Sequence, residues 1–280
     1  MSKLIGDDWL RQARTAADLP PSRPREALHV EVEACSVLVG SVEREVAERM
    51  AAAGLPIRRL GEGWQVGAPA GRSLAAIAAW LRDTGVTGRW RDEVLAVVDR
   101  HERAVAEIER SVVRVLGLTT YAVHLVGFTF DGRRTWVQQR AFDKATDPGL
   151  WDTLMGGQVA AGETVESALV RETEEEAGLD VCSLLDLHRG DRISFRRPVG
   201  DGYLVEHIDT YTARLPEGVE PANRDGEVVR FDCLDAAALE HRLARGEFTL
   251  EATLILATAA PAGAPFDQPS SGTLRPWLRR

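Results

Sequence analysis

Acidic side chains are concentrated in one short stretch of the chain. The 24 residues from 156 to 179, GGQVAAGETVESALVRETEEEAGL, contain six glutamates, three of them consecutive. Gly178 is a residue type that commonly ends a helix, so the pattern predicts a helix from about Glu163 to Ala177. Because like charges repel, such a run needs either full exposure to solvent or a cation that neutralises it.

The spacing along this helix favours a cation. Steps of three and four residues place Glu172, Glu175 and Glu176 on one face, whereas Glu174 points towards solvent. Clustered carboxylates are hard oxygen ligands, and Mg²⁺ is the divalent cation that suits them best. A solvated acidic face is the alternative, because the chain has 43 Asp and Glu against 34 Lys and Arg.

Glycines and an arginine complete this segment. Gly156-Gly157 and Gly162 precede the helix, where they let the backbone turn tightly and approach a ligand. The N-terminus of the helix that follows favours anions. Arg171 is expected to reach back to Glu163 in a bidentate pair. Together these features predict a site for a metal–phosphate complex.

The pattern resembles the Nudix box. The letters that carry the resemblance are Gly157, Glu163, Arg171, Glu172, Glu175, Glu176, Gly178 and Leu179. Thr173 departs from the pattern, since this position is usually aliphatic, and we expect the departure to affect stability more than chemistry.

The resemblance implies roles for individual residues. It assigns Glu172, Glu175 and Glu176 to metal binding, with one of them as general base and the backbone carbonyl of Gly156 or Gly157 as a further ligand. Mg²⁺ is the implied cofactor, with Mn²⁺ as a substitute. Glu227 precedes a predicted strand, where this fold often adds a loop carboxylate, so it is either a further catalytic or metal-binding group or a plain strand-edge residue.

Four residues upstream of the box are candidates for substrate binding. Arg140 and Lys144 have the charge to contact a diphosphate, one as a fork and the other as a point charge, with surface solvation as the alternative. Trp151 and Asp152 either shape the pocket floor or close the core, and packing in the core is favoured for Trp151. His124 lies on an apolar strand and is expected to be a core histidine.

Composition limits the function classes. The net charge of −9 argues against non-specific nucleic-acid binding. No apolar run approaches the roughly 20 residues of a membrane span, and the polar start is unlike a signal peptide. The three cysteines are far apart and read as reduced residues, so we expect a cytoplasmic protein with a small-molecule diphosphate substrate. A homodimer is left open.

The order of predicted elements indicates two domains. We expect an N-terminal α+β extension domain at 1–117, a Nudix domain at 118–262 and a flexible tail at 263–280. A helix is predicted from Arg103 to Leu116, and a strand hairpin around Asp131-Gly132 opens the second domain. The resemblance implies an α+β fold for that domain, an α-β-α sandwich with a mixed sheet between helices.

A wider resemblance bears on the substrate. WRDE (90–93), VHLVGF (123–128), the Arg140–Asp152 loop and DGEVVRF (225–231) are similar to the Nudix branch related to thiamine pyrophosphokinase. That branch implies hydrolysis of thiamine diphosphate or its oxidised analogues to the monophosphate and phosphate.

Three alternatives are kept. One is a Nudix hydrolase of ADP-ribose, NADH or a nucleoside triphosphate. Another is a non-enzymatic Nudix-fold ligand sensor, although such modules commonly lose box carboxylates and none is lost here. The third resembles isopentenyl-diphosphate isomerase, which needs a catalytic Cys and metal-binding His residues near the start of its Nudix-like domain, and no matching Cys is found there.

Overall fold

The computed structural model describes residues 7–259, in which 13 strands and six α-helices follow one another. The predicted tail at 263–280 lies outside the described residues. No helix of the described range is long and apolar enough to cross a membrane.

The first half of the chain forms a small four-stranded sheet, a separate hairpin and three helices. Its elements are α1 (Asp7–Ala17), β1 (Arg25–Val32), β2 (Cys35–Glu43), α2 (Arg44–Ala52), β3 (Ile57–Leu60), β4 (Gly63–Val66), α3 (Ala70–Asp83), β5 (Val94–Val98) and β6 (Ala104–Glu109). The strand order is β2-β1-β4-β3, and β5 and β6 pair only with each other. Leucines and valines of the sheet pack against the apolar faces of α2 and α3 and form one hydrophobic core.

The second half forms a seven-stranded mixed sheet. Its elements are β7 (Thr119–Phe128), β8 (Arg134–Arg140), β9 (Trp151–Asp152), β10 (Met155–Gln158), α4 (Val165–Ala177), β11 (Leu185–Val199), β12 (Gly202–Arg214), β13 (Val228–Asp235), α5 (Ala236–Ala244) and α6 (Leu250–Thr258). The main order is β11-β12-β7-β8-β13, with β10 paired to β7 and β9 to β8. Strands β7 and β12 run parallel and the other pairs antiparallel.

Both faces of this sheet are covered by helices. Alternate residues of β7 point to opposite faces, so Val123 and Leu125 pack towards α4, whereas Ala122 and Val126 belong to the core formed with α1, α5 and α6. A mixed sheet between helices, preceded by a smaller α+β region, confirms the fold class expected from the sequence.

One predicted helix is wrong. Residues 103–116 form strand β6 and a short 3₁₀ turn at Arg110–Val112. The Asp99 carboxylate accepts hydrogen bonds from the amides of His101 (2.8 Å) and Arg103 (3.0 Å), and this turn commits the segment to a hairpin with β5. The short apolar pattern is compatible with a helix or a strand, and pairing with β5 decides between them.

The large sheet begins at Thr119, and none of β1 to β6 belongs to it, whereas α1 packs against α6. The division of the chain at residue 117 stays a prediction. The two halves are joined by hydrogen bonds as well as by the chain. The amide of Ala161, in the loop before α4, donates to the carbonyl of Val94 in β5 at 2.9 Å.

Candidate active site

Helix α4 is fixed at both ends by its own sequence. The Thr164 hydroxyl accepts from the Ser167 amide while the Ser167 hydroxyl accepts from the Thr164 amide, which forms a capping box. Gly178 ends the helix in the left-handed conformation at φ 64°. The buried residues Ala168, Leu169 and Ala177 of this helix pack in one core with Val123 and Leu125 of β7, and this packing sets the rotation of its acidic face towards β10.

Two glycines allow this face to approach the sheet. A side chain at Gly157 would overlap the carboxyl group of Glu172, and one at Gly156 would overlap the ring of His124. The amide of Gly156 donates to Glu176 Oε2 at 3.1 Å. The carboxyl of Glu172 therefore lies against the backbone at Gly157, which only glycine permits, and the carboxyl of Glu176 is bonded to the backbone at Gly156.

Glu176 is the most deeply placed carboxyl of the box. Its side chain is 4% exposed, and Oε2 also accepts from Gln138 Nε2 at 2.9 Å. Burial raises the pKa of Glu176 to about 8, with Lys144 opposing the shift and Glu172 adding to it. Burial also raises the pKa of Glu172, against the effect of Arg171.

Arg171 connects the other box carboxylates. Its Nε and Nη2 donate to the two Glu163 oxygens at 2.7 and 2.8 Å, the bidentate pair expected from the spacing. Its Nη1 lies 2.8 Å from Glu172 and 3.1 Å from Glu175, which is half exposed. The hydrogen bonds from Arg171 lower the pKa of Glu163. Glu174 points away from this network and is exposed.

Two more predicted residues reach the box, Lys144 from the loop between β8 and β9 and Glu227 from the segment directly before β13. Lys144 Nζ forms an ion pair with Glu227 and lies 4.0 Å from Glu176 Oε1. Burial raises the pKa of Glu227, but its pairing with Lys144 outweighs this and holds the pKa below its ordinary value. Glu227 thus lies beside the box carboxylates although it is 51 residues further along the chain than Glu176.

Arg140, Asp152 and His124 form a second polar group beside Gly156. Arg140 Nη1 donates to Asp152 Oδ2 at 3.1 Å, and His124 Nδ1 lies 2.9 Å from the Thr153 hydroxyl. Burial lowers the pKa of His124, so its ring is neutral at pH 7. Of the two roles considered for Trp151, the structure shows packing in the core, with the Arg242 guanidinium 4.7 Å from its ring.

The residues fit a hard divalent cation by donor type. Glu172, Glu175, Glu176 and the Gly156 carbonyl all offer oxygen, and the raised pKa values of the two buried carboxyls indicate that local positive charge does not fully compensate them. Among residues 7–259, however, no three His, Cys, Asp or Glu side chains are gathered closely enough to hold one ion as they stand. Arg171 and Lys144 contact these carboxylates instead, so metal binding would require both cations to shift.

A cleft runs from the box glycines to the first half of the chain. Its inner lobe, about 120 Å³, is bordered by Gly156, Gly157, His124, Asp152 and Glu251. Its outer lobe, about 480 Å³, is bordered on one side by residues that precede the large sheet, namely Arg89, Arg91, Leu95, Arg110, Ser111 and Arg114. The residues that border both lobes are Arg110, Arg114, Thr146, Asp147, Gln158, Leu204 and Glu206. Sequence reasoning missed this wall and Gln138, because no local motif marks them.

Comparison with known proteins gives one domain match and relatives of two kinds. The model of the NUDIX domain matches residues 118–252. Nudix hydrolase 20, chloroplastic, from Arabidopsis thaliana is 29% identical over 191 residues, which are 63% of this chain and 48% of that protein. An isopentenyl-diphosphate Delta-isomerase from Dinoroseobacter shibae is 32% identical over 55% of this chain and 84% of that protein. The crystal structure of DR0079 from Deinococcus radiodurans has a TM-score of 0.47 at 23% identity and covers 59% of this chain and 97% of that one.

The NUDIX domain match covers slightly less than half of the chain. The box and the seven-stranded mixed sheet lie within the matched residues and agree with the match. The chain spans about half the length of the plant relatives that it matches.

Proposed function

We propose that the protein is a Mg²⁺-dependent pyrophosphohydrolase. Its substrate would be a diphosphate attached to an organic group, called X below, and the enzyme would cleave the bond between the two phosphates. The observation that carries the proposal is the pair of buried carboxyls, Glu172 and Glu176, held against Gly157 and Gly156 at the inner end of a cleft with arginines on its wall. A cytoplasmic location and a small-molecule partner are part of the same proposal.

The chain's own residues would position the reactants. When bound, the cation would neutralise phosphate charge and lower the pKa of a water molecule, and Glu172, Glu175, Glu176 and the Gly156 carbonyl are the ligands offered. Arg110, Arg114 and Arg140 border the inner lobe and can orient the diphosphate. Hydrolysis forms a bond from water oxygen to phosphorus and breaks the bridging P–O bond, with a box carboxylate accepting the water proton.

Thiamine is the first candidate for the group X, so that the substrate would be thiamine diphosphate. Its support is the resemblance to the thiamine-pyrophosphokinase-related branch, together with three carboxyl groups, Asp152, Glu206 and Glu251, that border the inner lobe. An acidic lining suits the cationic thiazolium and favours the intact coenzyme over its oxidised analogues. ADP-ribose, NADH and nucleoside triphosphates are the competing substrates.

An isomerase is the second candidate, and its support is the 84% of the Dinoroseobacter shibae protein that the chain covers. The cysteines argue against it. Cys35 and Cys182 are exposed, Cys233 lies in β13, and none borders either lobe of the cleft. Incubation with isopentenyl diphosphate and Mg²⁺ separates the two reactions, because an isomerase moves the carbon–carbon double bond and releases no phosphate.

The main test is a panel of diphosphate compounds with Mg²⁺, in which the products are identified by mass spectrometry. We expect Glu176→Gln to lose at least 100-fold in kcat/KM, about 2.7 kcal/mol. Glu174→Gln is the matched control, since this residue lies on the same helix but is exposed. Binding of a diphosphate without any turnover would favour the sensor, and near-normal turnover by Glu176→Gln would remove the site assignment.

A further inference from the structure

Four polar residues meet where the two lobes of the cleft join. Gln158 follows the box glycines in β10, Glu206 lies in β12, Arg197 lies in β11 and Glu251 lies in the first turn of α6. Arg197 is the register partner of Leu204, two residues from Glu206 on β12. Gln158 and Glu206 border both lobes, so a ligand that reaches the box passes this group.

Two of these side chains carry buried polar atoms that lack a hydrogen-bond partner. Gln158 Nε2 donates to Glu206 Oε1 at 2.6 Å, which leaves Gln158 Oε1 buried and unpaired. The carboxylate of Glu206 can only accept, so it fixes Nε2 as the end of the Gln158 amide that it bonds and leaves Oε1 as the free acceptor. Arg197 Nε is also buried and unpaired. An unsatisfied buried polar atom costs on the order of 1–3 kcal/mol, which a ligand can offset.

The free groups define the chemistry of that ligand. Gln158 Oε1 and the Glu251 carboxyl are acceptors and require N–H donors, whereas Arg197 Nε requires an acceptor. A phosphate is disfavoured beside the Glu206 carboxylate. Burial and Glu206 together raise the pKa of Glu251 to about 7, so this carboxyl is ionised, and is purely an acceptor, only above that pH. The apolar side chains of Leu204, Leu95 and Val113 also border the cleft and offer a surface for a flat ring.

We infer that Gln158, Arg197, Glu206 and Glu251 form a subsite for an amino-substituted nitrogen heterocycle in the group X of the substrate. The exocyclic amine donates to Gln158 Oε1 and Glu251, and the adjacent ring nitrogen accepts from Arg197 Nε. The inference rests on the proposed function in assuming that the diphosphate of the same molecule lies at the box. It predicts that the amine, more than the rest of X, decides which diphosphates are accepted.

Pairs of substrates that differ only at this group test the inference. Thiamine diphosphate is compared with oxythiamine diphosphate, and ADP-ribose with its hypoxanthine counterpart, since each pair exchanges an amine for an oxo group. We expect the wild-type protein with Mg²⁺ at about pH 8, where Glu251 is ionised, to prefer the amine at least tenfold in kcat/KM in whichever pair it hydrolyses. Glu251→Gln should reduce that ratio at least about threefold, mainly through KM, because an amide can donate to the oxo group. The ratio should stay above one, because the ring nitrogen beside an oxo group carries a proton and cannot accept from Arg197 Nε.

Glu240→Gln, an exposed change in the preceding helix, is the matched control, and Arg197→Lys should weaken both members of the pair. A ratio near one in the wild-type protein, or a ratio that Glu251→Gln leaves unchanged, would overturn the subsite. If the wild-type protein hydrolyses no diphosphate, the proposed function fails separately. Calorimetric binding of the same pairs to the full chain then decides whether the amine is recognised.

Discussion

Replacing Glu176 with Gln should change how the stability of the metal-free protein depends on pH. The carboxyl is buried, and its pKa is raised to about 8. A carboxyl whose pKa is raised by folding keeps its proton in the native state at pH values where the unfolded chain has released it. Its contribution to stability is therefore fully present below the unfolded pKa near 4.5 and is lost as the pH rises to about 8.

The magnitude follows from the shift. Each unit of pKa difference corresponds to about 1.4 kcal/mol, so complete ionisation removes at most about 5 kcal/mol, and roughly 2 kcal/mol of this falls between about pH 6 and pH 8. For a chain of this size, the loss corresponds to a decrease of roughly 4–8 °C in Tm. The amide oxygen introduced by Glu176→Gln can still accept from Gln138 Nε2 and the Gly156 amide, which now bond to Glu176 Oε2.

The assay is thermal unfolding of both proteins in EDTA across this pH range, with Glu174→Gln as the control. We expect the Tm of the wild-type protein to fall with pH and that of Glu176→Gln to stay nearly level, so that the variant is the more stable protein at about pH 8. Added Mg²⁺ should then stabilise the wild-type protein and leave the variant unchanged. Parallel pH profiles, or a variant less stable than the wild-type protein at about pH 8, would refute this reasoning.

Three further changes test separate contacts. Thr173→Val should raise Tm by roughly 2–4 °C, because the fully buried Thr173 hydroxyl has no hydrogen-bond partner. A decrease in Tm would show that the hydroxyl stabilises the fold. Gly157→Ala should reduce kcat/KM at least 100-fold by displacing the carboxyl of Glu172, with activity measured beside circular dichroism to confirm folding. Lys144→Met should reduce kcat/KM about tenfold, because the Lys144 ammonium lies between Glu176 and Glu227. Tm should change by no more than a few degrees, and unchanged kinetics would show that Lys144 has no part in catalysis.

The parts of the site that are local in sequence were predictable. The end of α4 at Gly178 and the pair between Arg171 and Glu163 follow from helical spacing and residue type. Contacts made across the fold were not predictable in the same way. Lys144 and Glu227 are 83 residues apart, and only the pairing of β13 with β8 brings them together beside Glu176.

The strand at 104–109 shows a different limit of predicting secondary structure from local sequence. A short apolar segment carries too few residues to separate a period of two from a period of 3.6, so local pattern alone does not decide its structure. The side-chain hydrogen bonds of Asp99 decide it by forming the turn that returns the chain. The same hairpin then supplies Val94, whose carbonyl holds the Ala161 amide in the loop before α4.

The hydrogen bond between the Ala161 amide and the Val94 carbonyl joins the two halves of the chain beside the cleft. The NUDIX domain match covers residues 118–252, and the box lies within it, but the cleft extends beyond it. Arg89, Arg91 and Arg110 border its outer lobe from segments that precede the domain, and Ser111 adds a buried hydroxyl without a partner. Under the proposed function, the box glycines and carboxylates would define which bond is hydrolysed, whereas the wall that meets the group X is built from both halves. Substrate choice would then depend on the whole chain, and the matched domain alone would specify only the diphosphate chemistry.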